Sequence, residues 1–95
     1  MKNVVIAGYA RSPFTPARKG DLAKVRPDDM AAQVVGALVE RTGVATEDIE
    51  DLLCGCAFPE GEQGFNIARL LAFIAELPVT LPGATVNRFC GSSMP

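Results

Sequence analysis

Three short strand-like runs alternate along the chain with two stretches that have helical periodicity. The runs occupy residues 4–10, 52–58 and 84–89. The first two are continuously or almost continuously apolar, which is typical of strands buried on both faces of a sheet. The order strand, helix, strand, helix, strand predicts an α/β fold with a mixed, mostly parallel sheet and helices on its faces.

Two segments place apolar side chains at the i, i+4 spacing of a helix with one buried face. The first begins at Pro27 and runs to about Thr42, with Gly43 as the natural stop. Proline at the first helical position loses no needed N–H, and glycine readily ends a helix. The second follows Asn66, predicted to cap it, and runs from residue 67 to about 76, before Pro78. A single turn from residue 46 to 50 connects the first helix to the second strand.

Length and composition allow one small globular domain. The chain has 95 residues, which is too short for a second domain. Of these residues 48% are hydrophobic, which is enough to form a core. Three strands with only two helices leave sheet surface and an edge uncovered. We therefore expect residues 1–95 to be an incomplete domain. Pro95 lies in the first turns of the helix expected after Cys90, where proline is tolerated only near the start.

Charge and residue usage exclude several classes of function. The net charge of −2 and pI near 5.0 provide no overall positive field for nucleic acid. No apolar run approaches the roughly 20 residues of a membrane helix. The chain has no histidine, so a histidine base, acid or metal ligand cannot come from it. We expect no nucleic-acid partner, no membrane association and no metal.

The three cysteines suggest a reducing compartment and one candidate nucleophile. Cys54 and Cys56 are too close in sequence for an ordinary disulfide framework or zinc knuckle, and we place them in the core of a cytoplasmic protein. Cys90 lies where the third strand should lead into a helix, and a helix N-terminus favours the thiolate. Its amide N–H groups can also hold an oxyanion. On spacing alone, a small buried residue at a tight turn fits Cys90 equally well.

Residues 86–94, which read Val-Asn-Arg-Phe-Cys-Gly-Ser-Ser-Met, resemble the thiolase family of acyl-CoA acyltransferases around its acylated cysteine. Residues 11–14, Arg-Ser-Pro-Phe, resemble the Arg-Thr-Pro-Phe or Arg-Thr-Pro-Ile that follows the first thiolase strand. Residues 66–69, Asn-Ile-Ala-Arg, resemble the Asn-x-Ala-Arg opening of the second helix. The order and spacing of these motifs agree over the whole chain.

The resemblance implies a fold and a reaction. Residues 1–95 would form part of the N-terminal domain, a partial three-layer α/β/α half, and the C-terminal domain would be absent. Cys90 would carry the acyl group in thiolytic cleavage of 3-ketoacyl-CoA or the reverse condensation of acetyl-CoA, with its own N–H in the oxyanion hole. Coenzyme A and acyl-CoA would be substrates and partners, no cofactor would be needed, and the family assembles as homodimers or homotetramers.

The resemblance also implies what residues 1–95 lack. The family uses two histidines and a second cysteine in Gly-His-Pro, Asn-Glu-Ala-Phe and Cys-x-Gly-Gly-Gly contexts, none of which occurs here. The 95 residues alone are therefore expected to be inactive. Arg11, Asn66 and Arg69 match family positions, and we interpret them as a loop anchor, a helix cap and a surface or interface cation. Arg88 is ambiguous, because a nearby cation favours a thiolate but its side chain points away from that of Phe89.

Three other functions remain open at this point. A noncatalytic thiolase-like protein that binds acyl-CoA or lipid, or serves as a scaffold, would survive Cys90→Ala without loss of function. A ketosynthase-type condensing enzyme shares the fold, but such enzymes usually present a different run around the cysteine. A small redox protein would need Cys54 and Cys56 exposed, whereas their apolar neighbours suggest burial.

Overall fold

The computed structural model describes residues 2–94 and has an α/β architecture. Two helices pack against a two-stranded parallel sheet in the order α1, β1, α2, β2. The elements are α1 (Pro27–Thr42), β1 (Leu52–Gly55), α2 (Ile67–Ile74) and β2 (Gly83–Val86). Single 3₁₀ turns lie at Thr46–Asp48, Gly61–Gln63 and Phe89–Gly91. The predicted α/β class is confirmed, while the expected effect of Pro95 lies outside the described residues.

Helix α1 has the bounds that the sequence predicts. Pro27 is its first residue, and Gly43 ends it in the left-handed conformation with φ +69°. The Gly43 N–H donates to the Val39 carbonyl at 3.0 Å, which satisfies one of the last free carbonyls of the helix.

An ion pair that the sequence analysis missed holds the start of α1. The Arg26 guanidinium donates from Nε and Nη2 to the two carboxylate oxygens of Asp28, at 3.1 and 3.0 Å. Asp28 Oδ1 also accepts the Asp29 N–H at 2.8 Å. The hydrogen bond from Arg26 lowers the pKa of Asp28 below its usual range. This carboxylate thus joins the loop before α1 to its first turn.

Strands β1 and β2 are shorter than predicted. Their register pairs Leu52 with Gly83 and Gly55 with Val86, so the ladder covers four residues of each strand. The Cys56 N–H still donates to the Val86 carbonyl at 2.9 Å, but beyond that point the two chains diverge into turns. The parallel direction is as predicted, because α2 provides the crossover between the strands.

The predicted first strand over residues 4–10 is wrong. This segment forms no strand, and Val4 and Ile6 are 95% and 93% exposed. A strand requires a hydrogen-bonded neighbour, and within residues 2–94 the sheet contains only β1 and β2. The Arg41 guanidinium donates to the Tyr9 carbonyl at 2.7 Å, which ties the segment to α1. The apolar side chains of residues 4–10 indicate a tendency toward burial, but they do not determine whether a neighbouring strand is available to pair with.

Helix α2 ends at Ile74, two residues before the predicted end. Glu76 takes the left-handed conformation with φ +57°, and the next residue, Leu77, donates its N–H back to the Ala72 carbonyl at 2.9 Å. This is the Schellman pattern of hydrogen bonding, normally built on glycine. The helix therefore ends with Glu76 in the left-handed position, two residues before Pro78, the residue that was predicted to end it.

The core lies beneath α2 and is small. One cluster joins α1, α2 and the end of β1, and a second joins α2 to the chain that leads into β2. Their buried members are Ala32, Cys56, Ile67 and Leu71 in the first and Ala72, Leu77 and Leu81 in the second. Among residues 2–94, no helix combines the length and apolarity that crossing a membrane requires.

Candidate functional site

Cys90 lies on an exposed turn immediately after β2. The turn Phe89–Gly91 is a 3₁₀ helix, and Cys90 is the exposed member of the three free cysteines. An α-helix was expected to begin here, but up to residue 94 the chain forms this 3₁₀ turn followed by a second turn at residues 92–93. Cys90 follows a strand, as predicted, but β2 ends at Val86 and not at residue 89. The alternative of a buried small residue is wrong, because Cys90 is exposed.

The Ser92 side chain stabilises this turn by hydrogen bonds to its backbone. Its side chain is buried, with 7% of the residue exposed. Its hydroxyl oxygen accepts the Arg88 N–H at 3.0 Å and donates to the Phe89 carbonyl at 2.6 Å. One side chain therefore joins the backbone on both sides of Phe89, the residue directly before Cys90.

Asn87 attaches the turn to the end of β1. Its Oδ1 accepts the Phe89 N–H at 2.9 Å, and its Nδ2 donates to the Ala57 carbonyl at 3.3 Å. An asparagine that hydrogen-bonds the backbone two residues onward is a common way to start a turn. The side chain thereby fixes the Cys90 turn relative to the chain that follows β1.

Phe89 adopts a backbone conformation that is unfavourable for its residue type. Its φ is +52°, a left-handed value that costs a bulky residue about 1–3 kcal/mol. The hydrogen bonds from Asn87 and Ser92 act on the Phe89 N–H and carbonyl, so they stabilise this conformation directly. Strain of this kind concentrates at functional sites, where the surroundings fix it.

Gly55 at the end of β1 lets the chain after Cys90 pass close to the sheet. A Cβ atom at Gly55 would lie 2.5 Å from the Ser92 carbonyl carbon and 2.5 Å from the Ser93 nitrogen. Both are backbone atoms, so any side chain here would displace the segment. A groove of about 530 Å³ runs along β1 from Met30 and Val34 and reaches Ser93 at this point.

The other two cysteines belong to the packed part of the molecule. Cys56 is buried in the core, as predicted, and Cys54 is half-buried beside it. Burial raises the pKa of the Cys54 thiol, and the neighbouring Cys56 adds to the effect. A redox pair would need both thiols exposed, so the burial of Cys56 and the half-burial of Cys54 argue against one at these positions.

Asn66 does not cap α2 with its own side chain. Its Nδ2 donates to the Gly83 carbonyl at 2.8 Å, and its Oδ1 accepts the Thr85 hydroxyl at 2.7 Å. The Thr85 oxygen in turn accepts the Ala68 N–H at 3.3 Å. The cap predicted at Asn66 is thus supplied by Thr85, because Asn66 is turned toward β2 and joins the helix to the strand that leads to Cys90.

Arg69 stabilises the connection between α2 and β2, a role beyond the predicted surface or interface cation. Its guanidinium donates to the carbonyls of Leu81 and Val79 and lies 4.4 Å above the Phe73 ring. Arg11 is exposed and bonds only locally, to the Ser12 carbonyl at 3.4 Å. Arg88 contributes to the Cys90 turn through its backbone, because its N–H donates to the Ser92 hydroxyl oxygen.

Sequence reasoning singled out Cys90 as the candidate nucleophile but missed the residues that hold its turn. Asn87 and Ser92 had entered the prediction only as part of the motif at residues 86–94, and Gly55 had no role. The local signals were an asparagine two residues before the strained Phe89 and a serine two residues after Cys90. The contact at Gly55 joins positions 37 residues apart and leaves no local signal.

Comparisons with known proteins give a family model and curated relatives that match this chain. The family model described as "Thiolase, N-terminal domain" matches residues 4–95. The 3-ketoacyl-CoA thiolase of Bacillus subtilis (strain 168) is 49% identical over 94 residues, which cover 99% of this chain and 24% of that protein. The 3-ketoacyl-CoA thiolase of Saccharophagus degradans is 44% identical over 94 residues, with 98% and 24% coverage. The chain thus spans about a quarter of the length of these curated relatives.

Proposed function

The chain belongs to the thiolase family, and on that premise we propose that the intact protein is an acyl-CoA acyltransferase in which Cys90 carries the acyl group. Its substrates are 3-ketoacyl-CoA and free coenzyme A in the cleavage direction, or two molecules of acetyl-CoA in the condensation direction. The relatives at 42–49% identity are named 3-ketoacyl-CoA thiolase, which supports the cleavage reaction first.

The proposed reaction divides one difficult step into two acyl transfers. The Cys90 thiolate adds to the 3-keto carbonyl, and the bond between carbons 2 and 3 breaks to leave an acyl-enzyme and the enolate of acetyl-CoA, which takes up a proton. The thiolate of a second coenzyme A then attacks the acyl-enzyme, forming the shortened acyl-CoA and releasing the Cys90 thiolate. A thiolate both attacks and leaves readily, so the second transfer, from the cysteine thioester to the coenzyme A thioester, involves little change in free energy.

The observation that carries the proposal is the position of Cys90. Of the three thiols, only that of Cys90 lies on an exposed turn, whereas Cys54 is half-buried and Cys56 is buried. The turn is fixed from both sides by Asn87 and Ser92. An acyl acceptor must be reached by a large thioester and must hold its place through two transfers, and these features favour Cys90.

The remaining components of the reaction lie outside residues 1–95 in this proposal. The reaction requires a base to take the cysteine proton and an acid at the departing carbon or sulfur, and the chain has no histidine to supply either. We therefore propose that the 95 residues do not turn over alone. On family grounds we also propose a homodimer or homotetramer in the cytoplasm, with no cofactor beyond the coenzyme A substrates.

The test measures the acyl-enzyme and the turnover of acetoacetyl-CoA in the intact protein and in two cysteine variants. Cys90→Ala is expected to abolish both the acyl adduct, seen by intact mass, and the cleavage rate. Cys54→Ala is the matched control, because it removes a half-buried thiol on the neighbouring strand. It should keep the adduct and most of the rate.

A Cys90→Ala protein that still forms the adduct or cleaves acetoacetyl-CoA would contradict the proposal. If wild type and Cys90→Ala bind acyl-CoA equally and neither forms an adduct, the noncatalytic binding function is correct instead. The purified 95-residue chain should remain without an adduct under the same conditions, and an adduct on it would contradict the proposal that it is inactive alone.

A further inference from the structure

Ser92 and Gly55 form a seat for the turn that carries Cys90, although neither touches the thiol. The seat consists of the buried Ser92 side chain and the bare backbone of Gly55, over which the Ser92–Ser93 peptide passes at the end of β1. We propose that Ser92, seated against Gly55, is a positioning residue that sets the reactivity of Cys90. The inference rests on the proposed function of Cys90 for its role in acyl transfer.

The hydrogen bonds of Ser92 carry the first part of the argument. Its hydroxyl accepts the Arg88 N–H at 3.0 Å and donates to the Phe89 carbonyl at 2.6 Å, while its own N–H donates to the same carbonyl at 3.1 Å. These bonds close a loop around Cys90 and hold Phe89 at φ +52°. Removal of the hydroxyl leaves the Arg88 N–H without this partner and lets Phe89 relax toward a common conformation.

The contact at Gly55 carries the second part. The Ser92–Ser93 peptide approaches the sheet so closely that a Cβ at Gly55 would lie 2.5 Å from its backbone atoms. Real Cβ contacts are longer, so Gly55→Ala must move this peptide or β1. Because the Ser92 hydroxyl is hydrogen-bonded to the Phe89 carbonyl, displacement of the Ser92–Ser93 peptide also displaces Phe89, the residue beside Cys90.

Gly83 provides a matched control for Gly55. It is also a glycine of the two-stranded sheet, and a Cβ there would lie 2.8 Å from the Ala68 carbonyl carbon and from the Arg69 nitrogen. Gly83→Ala therefore produces a backbone clash of similar severity, but against helix α2. The two variants share the chemistry of the change and differ in what they displace.

The experiment measures the rate of alkylation of each cysteine by iodoacetamide across pH, with peptide mass spectrometry to separate the three sites. It compares wild type, Ser92→Ala and Ser93→Ala, together with a synthetic peptide of residues 84–94 as the unstructured reference. Because Cys90 is already exposed, loosening the turn cannot act mainly through access. A change in its rate or pH profile thus reports its local environment.

Ser92→Ala should move the Cys90 rate toward that of the free peptide by about fivefold, the size expected of one lost intramolecular hydrogen bond. The rates at Cys54 and Cys56 should stay as in wild type. Ser93→Ala removes a hydroxyl that lies beside Gly55 but makes neither of the hydrogen bonds to Arg88 and Phe89, and it should leave Cys90 unchanged. A wild-type Cys90 that reacts like the peptide, or a Ser92→Ala protein that reacts like wild type, overturns the proposal.

The glycine pair keeps the test decisive if Ser92→Ala fails to fold. Gly55→Ala should change the pH profile of Cys90, whereas Gly83→Ala should lower the melting temperature and leave Cys90 unchanged. A purely structural role for Gly55 would lower the melting temperature without altering Cys90, which overturns the proposal. Alkylation needs no acyl-CoA, so this experiment is independent of the acyl-transfer assay. If the alkylation rates change as expected but the intact protein forms no acyl adduct, the proposed function is rejected and the positioning role of Ser92 stands.

Discussion

The segment before α1 and the unit formed by α2 with the two strands contrast sharply, although both are rich in apolar residues. Residues 4–10 form an apolar run that stays exposed. Helix α2 buries Ala68, Leu71 and Ala72 to 2% exposure or less. The difference lies in the available partners, because α2 packs on both strands and α1 whereas residues 4–10 pair with no strand of the sheet. Apolar sequence provides the tendency to be buried, and a neighbouring element determines whether burial occurs.

The largest expected effect tests this contrast directly. Leu71→Ala removes a buried side chain beneath α2 and should lower the free energy of unfolding by about 3 kcal/mol. Ile6→Ala removes the same kind of side chain from an exposed position and should change it by less than about 0.5 kcal/mol. Urea denaturation of both variants measures the difference. A loss at Ile6 equal to that at Leu71 would mean that residues 4–10 are packed in solution, and the contrast would fail.

A second variant sharpens the account of why the α2 unit holds together. Thr85→Val keeps the side-chain shape but removes the hydroxyl between the Ala68 N–H and Asn66 Oδ1. The free energy of unfolding should fall by about 1.5 kcal/mol, because a helix cap and a second hydrogen bond, from Thr85 to Asn66, are lost together. Thr80→Val at an exposed position is the control, expected within about 0.5 kcal/mol of wild type. Equal effects at the two threonines would refute the cap.

A third variant compares two arginines, one from each region. Arg69→Lys keeps the charge but cannot reproduce the planar fork that reaches the Val79 and Leu81 carbonyls, so it should cost about 1 kcal/mol. Arg11→Lys changes an exposed side chain with only a local bond and should have no measurable effect. Thermal unfolding distinguishes them, and a larger loss at Arg11 would reverse the proposed order of stability.

The smallest expected effect is on the pH dependence of stability, through the ion pair of Arg26 and Asp28 where the segment before α1 joins that helix. Because Arg26 lowers the pKa of Asp28, the ion pair stabilises the fold above the ordinary carboxyl value near 3.9. That contribution is lost as pH falls through the lowered folded-state pKa. Asp28→Asn and Arg26→Gln should both reduce the acid dependence of the melting temperature below about pH 4. An acid limb that stays as steep as in wild type would contradict the role of this pair.

The sequence predicted the parts of the fold that depend on local chemistry. Pro27 and Gly43 marked both ends of α1 because each acts on its own backbone. Cys90 was singled out by the resemblance of residues 86–94 to the thiolase motif, since its spacing fitted a buried residue equally well. What the sequence did not reveal depends on distant residues, such as the contact of Gly55 with Ser92 and the cap that Thr85 supplies to α2. The missing strand at residues 4–10 has the same origin, because strand formation is a property of a pair.

The measurement that tests the central claim most directly locates the acyl group after a single turnover. The intact protein is mixed with acetoacetyl-CoA, quenched in acid, digested and examined peptide by peptide for acetyl on each cysteine. The account predicts acetyl on the peptide that contains Cys90, in an amount approaching one per chain, with Cys54 and Cys56 remaining free thiols. Acetyl on another residue while Cys90 stays a free thiol would contradict it.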